Sequence, residues 1–505
     1  MLAAEDRWSR RRKGRCDANR AVIASVVFVV VLVTVTFTRA DESREGISRS
    51  VHKAVSWLDR SGGSRGRFNS SLVLNHSVAQ DSFHRQLKPD VRYITTMSYG
   101  GHANQFIGIQ NMLYLAKLLN RVAIIPTLTP LHFDGPPQNM SKFYDVDRFY
   151  QETAIPVVEL AQVKYWDFDK PPPVEPLTCW SVLENVADGR NVNDGSMAVH
   201  MIDVKYYPLP EMTRGSEGWK IWFEALHNFD SDWWSRGEWI QRVRNEGLPH
   251  QDPPKGTDVS RPDYKPTSKP GFDTVHTEPP TDAVFCLDTC FFVGSRMLPP
   301  AYPSIAPTEP PRSYEGHGWI DAGQHLRFSD HLERLGDLYL ERLFDVSSVK
   351  KIPPIITCHI RRGDFAQARG LTSLEMYTDA VQRVRDKLNW RIDHPDGWDG
   401  PGKGRERFEK GFRGQDYVVV VATDEKPDSE FVRQLKDDLG WKVIDHDAMR
   451  TGEELGGWYP LLIDSVILSR GGGFVGTEWS TFSYLAGLRV KYWNGGVEEW
   501  TPSLA

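Results

Sequence analysis

The chain has 505 residues, 40% of them hydrophobic and 25% charged, so it can bury one large core or two ordinary ones, and global disorder is excluded. Its net charge of -6 is small for that length, and no whole-molecule field selects nucleic acid or an acidic polymer as partner.

Residues 1–20 form a basic tail carrying Arg7, Arg10, Arg11, Arg12, Lys13, Arg15 and Arg20. An uncharged apolar run follows over residues 21–38. As a helix it rises about 27 Å, close to the roughly 30 Å hydrocarbon core of a bilayer. Mixed charges come next (Arg39, Asp41, Glu42, Arg44, Glu45), so the Lys/Arg bias keeps the N-terminus cytosolic and sends the remainder into a lumen. A cleaved signal peptide has a shorter apolar core ending at small residues, whereas this run leaves through Thr-Phe-Thr-Arg-Ala. The expectation is a single-pass type II membrane protein. No Lys-Asp-Glu-Leu-type signal separates the Golgi apparatus from the endoplasmic reticulum.

Cys16 falls on the cytosolic side, leaving Cys179, Cys286, Cys290 and Cys358, which permit three pairings if all are oxidised. Cys286 and Cys290 have no second ligand pair at zinc spacing, so no metal is implied. Asn69, Asn75 and Asn139 head glycosylation sequons. Residues 39–90, rich in Ser, Arg, Gly and His, read as a flexible stem.

Ordered structure is expected from residue 91. Val91–Met97 reads as a strand, Ser98–Ala103 as a glycine-containing turn, Asn104–Asn120 as a helix and Val122–Pro126 as a buried strand, a βαβ seed. The tryptophans at 219, 222, 233, 234 and 239 fit core packing better than a sugar platform. Around 251–311 proline is frequent and periodicity absent, which reads as an insertion. A second unit runs over 351–505. Its strands are Ile355–Ile360, Tyr417–Ala422, Trp441–Ile444 and Phe474–Val475, and its helices Ser429–Leu439, Leu461–Ser469 and Ser480–Leu488. Ligands of such sheets bind beyond the carboxyl ends of strands.

Three constellations carry chemistry. Cys358-His-Ile-Arg-Arg-Gly-Asp-Phe365 delivers Arg361 and Arg362 where a buried strand stops, and a guanidinium fork matches phosphate oxygens; pairing with Asp364 is the structural alternative. Gly476-Thr-Glu-Trp-Ser-Thr-Phe-Ser483 opens a helix with hydroxyls, as an anion site does, although capping alone explains any one of them. Tyr99-Gly-Gly-His-Ala-Asn-Gln-Phe106 turns from the first strand into its helix without a dinucleotide or Walker pattern.

Taken in order, GGHANQFIGIQNMLYLAKLLNR, CHIRRGDF, VVVATDEKP and DSVILSRGGGFVGTEWSTFSYLAGLR resemble the GDP-fucose protein O-fucosyltransferase family, in blocks between about Ile94 and Arg489. The resemblance implies an α/β fold of GT-B type, with two Rossmann-like domains (91–350 and 351–505) facing a cleft. It also implies an inverting, metal-independent fucosyltransferase that needs no cofactor beyond its donor GDP-fucose. Its acceptor would be a protein hydroxyl or a glycan; a catalytically silent membrane protein of the same fold is the other alternative. Carried over to this chain, Arg361 would hold the β-phosphate and help expel GDP, and His359 and Arg362 would line the nucleotide pocket. Asp464 would sit near guanine and ribose, and Asp424 would support the nucleotide side. Ser480, Thr481 and Phe482 would meet the phosphates and fucose, and Asn104 would lie near the reacting centre. Some members carry a glutamate base in the first motif where this chain has Gly100-Gly-His-Ala-Asn, so the base stays open. His102, with an ordinary imidazole pKa of about 6.5, is the candidate.

Overall fold

The computed structural model describes residues 66–167, 169–182, 192–193, 195–209, 221–231, 283–294, 316–365, 370–394 and 412–502. The tail and anchor expected over 1–38 lie outside these residues. Among the described residues no helix is long and apolar enough to cross a membrane.

Two parallel sheets dominate. The first contains β1 (Tyr93–Thr96), β2 (Val122–Ile125), β3 (Val157–Glu159), β4 (Glu175–Ser181), β5 (Ile202–Pro208) and β6 (Val284–Leu287), in the order β3-β2-β1-β6-β4-β5. The second contains β7 (Ile355–Ile360), β8 (Val418–Thr423), β9 (Lys442–Val443), β10 (Gly473–Thr477) and β11 (Val497–Thr501), in the order β9-β8-β7-β10-β11. That is the 3-2-1-4-5 order of a nucleotide-binding half.

Alternation of side chains across each sheet separates three apolar layers. Ile94 and Ala123 of the first sheet and Ile355, Val420 and Phe474 of the second face a shared layer. It is filled by α1 (His102–Leu119), α2 (Asp330–Phe344), α4 (Tyr459–Leu468) and α5 (Thr481–Asn494). The far face of the first sheet, with Tyr93, Val122 and Ile124, packs on Val73, Leu74, Phe83 and Leu87. The far face of the second, with Ile356, Cys358 and Ile360, packs on Tyr377, Val381, Val384 and Leu388 of α3 (Leu374–Asp393). Residues 66–505 thus form one unit with a core continuous between the sheets.

Three expectations need correction. The segment assigned to a stem is folded from Gly66 on: Ser70–Leu72 and Phe83–Gln86 are short helical turns, and Phe83 is 4% exposed against the first sheet. The proline-rich insertion around 251–311 contains β6, a central strand between β1 and β4, which four apolar residues flanked by prolines do not announce. Helix α3, capped by Ser373, was not anticipated between the Arg361 turn and β8.

One disulfide joins Cys179 of β4 to Cys286 of the neighbouring β6, resolving the open pairing. Cys290 and Cys358 are buried free thiols; burial pushes Cys290 up to about 12 and Cys358 upward as well, so both stay protonated at neutral pH.

Candidate active site

In the second sheet the strand order reverses between β7 and β10, which opens a crevice beyond their carboxyl ends. The first sheet reverses between β1 and β6. The turns after β1, β7 and β10 hold the motifs singled out in the sequence.

Arg361 is the first residue past β7. Its backbone N–H donates to Thr477 Oγ1 at 3.0 Å, and that hydroxyl donates to the His359 carbonyl at 3.1 Å while meeting the Tyr377 hydroxyl at 2.7 Å. The two strand ends are therefore pinned together. The guanidinium, 30% exposed, is shared between Asp424 at the end of β8 and Asp364, the latter at 2.5 Å. The structural alternative, pairing with Asp364, is therefore present, and a partly exposed ion pair of this kind contributes only about 0–1 kcal/mol. Asp424 also accepts the Arg362 N–H at 2.7 Å. Arg362 itself donates from Nε to Glu425 at 2.5 Å and lies 4.0 Å over the Phe431 ring.

The hydroxyl run after β10 divides its work. Ser480 is the N-cap of α5, its Oγ accepting the Ser483 N–H at 3.3 Å. That leaves the N–H groups of Thr481 and Phe482 as the first-turn donors an anion can meet. Ser483, unremarked as a site residue in the sequence, accepts the Thr477 N–H at 3.2 Å and bonds His359 Nδ1 at 2.6 Å. The Phe482 ring stands 4.9 Å from His359.

Thr481 donates across to Asn104 Oδ1 at 2.6 Å, so the N-termini of α5 and α1 meet at this bond. Each terminus carries roughly half a positive charge. The N-cap of α1 is Gly101, which supplies no side-chain bond to the first turn. Gly100 precedes it at φ +62°, where a Cβ would fall 2.4 Å from Asn104 Nδ2. Only glycine fits there.

His102, the base candidate, does not suit that role. It is 7% exposed, Nε2 is 2.8 Å from the Tyr144 hydroxyl, and burial, then Arg489, push its pKa down to about 3. Burial, then Arg361, bring His359 to about 3, and burial brings His200 to about 4. Asp464 on α4 accepts from His446 Nε2 at 2.8 Å, at the carboxyl edge beyond β9, three strands from β10. Burial pulls His446 down, but Asp464, Asp445 and Asp447 outweigh it and raise its pKa.

These shifts predict a pH profile. Between about pH 4 and 6.5 the unfolded chain protonates three imidazoles that the folded chain keeps neutral. Stability rises with pH across that window, by up to about 1.4 kcal/mol per pH unit for each group, and their contribution is complete above it. His446 has the opposite sign: its contribution is full below about pH 6.5 and is lost as pH rises through its raised folded value. Urea midpoints measured from pH 4 to 8 should climb to about pH 6.5 and then level or decline.

Tyr144 also lines a cavity of about 380 Å³ with Ser141, Glu159 and His331, none of which the motifs include. Among the sequons, Asn69 Oδ1 accepts the Ser71 N–H, and Asn75 Nδ2 donates to the Arg85 and Leu87 carbonyls. Asn139 makes no capping bond. Of the tryptophan cluster only Trp222 lies within the described residues, half-buried in a short strand, Ile221–Trp222. Among the described residues no group of three or more His, Cys, Asp or Glu could hold a metal ion.

The family model of GDP-fucose protein O-fucosyltransferases matches residues 93–492. No curated protein matches the chain. Among solved structures, POFUT1 in complex with GDP-fucose is 12% identical with a TM-score of 0.42, covering 82% of this chain and 98% of that one. POFUT1 in complex with GDP is 12% identical at 0.42, with 81% and 98% covered. NodZ alpha-1,6-fucosyltransferase soaked with GDP-fucose is 14% identical at 0.32, with 79% and 93% covered.

Proposed function

Because the chain belongs to the GDP-fucose protein O-fucosyltransferase family and is a GDP-fucose-dependent fucosyltransferase, we propose that it transfers fucose to a Ser or Thr hydroxyl of a protein, with inversion and without a metal ion. The observation that carries this reading is Arg361, anchored by its backbone N–H to Thr477 at the reversal between β7 and β10, with α5 opening four residues beyond that threonine. The acceptor oxygen attacks C1 of fucose in line as the bond to the β-phosphate oxygen breaks. Arg361 and the Thr481 and Phe482 N–H groups take up the charge that develops on GDP. Asn104, held by Thr481 at 2.6 Å, stands where the sugar would meet the first sheet.

In this reading the halves 91–350 and 351–505 form a GT-B pair around a cleft between their carboxyl edges. Asp424 and Asp464 stand on the nucleotide side. Residues 21–38 anchor the enzyme as a type II protein, with the catalytic part lumenal in the Golgi or endoplasmic reticulum.

The test is calorimetric titration of the purified chain with GDP-fucose and a UDP-sugar, then transfer of labelled fucose to lumenal glycoproteins with and without EDTA. The expected result is selective GDP-fucose binding and EDTA-resistant label on Ser or Thr. Equal binding of UDP-sugars would overturn the donor, and label found only on glycans would overturn the acceptor.

A further inference from the structure

Arg489 is the most unusual charge among the described residues. It sits on α5, 2% exposed, yet no carboxylate contacts it. Its guanidinium lies over three rings, Phe328 at 4.6 Å, Phe106 at 5.0 Å and Trp493 at 5.5 Å. Among the described residues Nε is buried without a partner, and the Tyr144 hydroxyl lies against the guanidinium, 3.5 Å from Nη2. An arginine remains charged even here, so the cation acts on whatever dipole can turn toward it.

That dipole is the Tyr144 hydroxyl. Its oxygen faces the guanidinium, so its hydrogen is driven to the opposite side, where the available acceptor is His102 Nε2 at 2.8 Å. A nitrogen that accepts carries no proton. Neutral imidazole then has its single proton on Nδ1, and Nδ1 is buried without a partner among the described residues. His102 opens α1 at the carboxyl end of β1, two residues before the Asn104 that Thr481 holds.

We propose that Arg489 and Tyr144 are positioning residues that fix His102 as the neutral Nδ1–H tautomer, so that it donates a hydrogen bond to an oxygen of the bound sugar nucleotide. The donor step rests on the function proposed above; the tautomer does not. His102 transfers no proton in this arrangement, and the acceptor hydroxyl loses its proton elsewhere. The carboxylate that acts on Arg489, Glu333, does so without contact and is itself paired with Arg470, so the phenol remains the dipole in contact with the guanidinium.

The test uses the purified full chain with ¹⁵N-labelled histidine, read by long-range proton–nitrogen correlation, with His102 assigned by loss of its signals in H102N. The expected wild-type pattern is a neutral ring protonated on Nδ1. In Tyr144→Phe, which keeps the ring and removes the hydroxyl, a Nε2–H population should appear. Saturating GDP-fucose, with binding checked by calorimetry, should shift the wild-type Nδ1–H. Asparagine can place an amide N–H near the Nδ1 position and glutamine near Nε2. His102→Asn should therefore retain about tenfold more kcat/KM for GDP-fucose than His102→Gln, although both fall below the wild type. A wild-type Nε2–H ring, or a spectrum unchanged by Tyr144→Phe, overturns the tautomer. Binding without a shift, or Asn and Gln variants of equal activity, overturns the donor and leaves Nδ1 to a buried water only. Absence of GDP-fucose binding would count against the donor assignment and leave the tautomer result standing. Should Tyr144→Phe fail to fold, the wild-type spectrum and the Asn/Gln pair still decide.

Discussion

Arg361→Lys is expected to lower kcat for fucose transfer by about two to three orders of magnitude while leaving the protein folded. The lysine keeps the charge and loses the planar fork that can grip two phosphate oxygens at once. The charge on departing GDP develops only as the glycosidic bond breaks, so removal of its partner falls on the transition state, where one such donor is typically worth about 10²–10³ in rate. Binding of GDP-fucose should weaken far less. Folding should hardly change, because the guanidinium is 30% exposed and its resting partners Asp424 and Asp364 are exposed as well. The measurements are single-turnover transfer, a GDP-fucose titration and thermal unfolding of both proteins. A lysine variant with near-normal kcat would remove Arg361 from the chemistry, and a variant that unfolds would show that its pairing with Asp424 is structural.

Asp230→Ala should cost about 3–5 kcal/mol of stability. Arg121 precedes β2 with its side chain at 0% exposure, and Asp230 lies at 3% on the helix Phe223–Ser231. The pair is bidentate, with Nε to Oδ2 at 2.9 Å and Nη2 to Oδ1 at 2.6 Å, and Nη1 donates to the Tyr93 carbonyl at 3.1 Å. Deleting the carboxylate leaves a buried guanidinium that cannot give up its proton. Asp230→Asn should be nearly as harmful, since the amide offers one acceptor and no charge. Replacing both partners together, Arg121→Met with Asp230→Leu, should recover much of the loss, because neither charge then needs desolvation. Denaturant unfolding of the three variants beside the wild type separates these outcomes. A loss below about 1 kcal/mol for Asp230→Ala would mean that the ion pair is open to water.

The parts of the fold legible in the sequence are those whose burial leaves a one-dimensional trace. Ile355–Ile360 and Val418–Thr423 are covered on both faces and read as continuous apolar runs, and the first polar residue after β7 is Arg361. Helix α1 was recognisable from its turn, although its start at His102 came two residues earlier than expected. Elsewhere burial erased the signal. Leu485, Ala486, Gly487, Leu488, Arg489 and Val490 are all buried, so α5 shows no polar face and its course to Asn494 was cut short at Leu488. β6 is too short to display a period and depends on its neighbours for its place.

The candidate site was legible only as words. Thr481 meets Asn104 and His359 meets Ser483, but these pairings, like the bond of Arg362 to Glu425, join residues far apart in sequence, which no local pattern records. Tyr144 was missed outright. It lies 42 residues from His102, in a stretch with no motif, and only the packing of Phe106, Phe328 and Arg489 around it brings the hydroxyl to the imidazole.

The bond between Cys179 and Cys286 makes the peptide backbone redundant between these two strands. A single cut anywhere from residue 232 to 282 would leave both fragments covalently attached through neighbouring strands of the first sheet. On a gel such a nicked enzyme would run whole until a reductant was added. A cut from 295 to 315 would lie outside the loop that the bridge closes, and the fragments would then be held by noncovalent contacts only, the shared apolar layer and bonds such as that of Thr481 to Asn104.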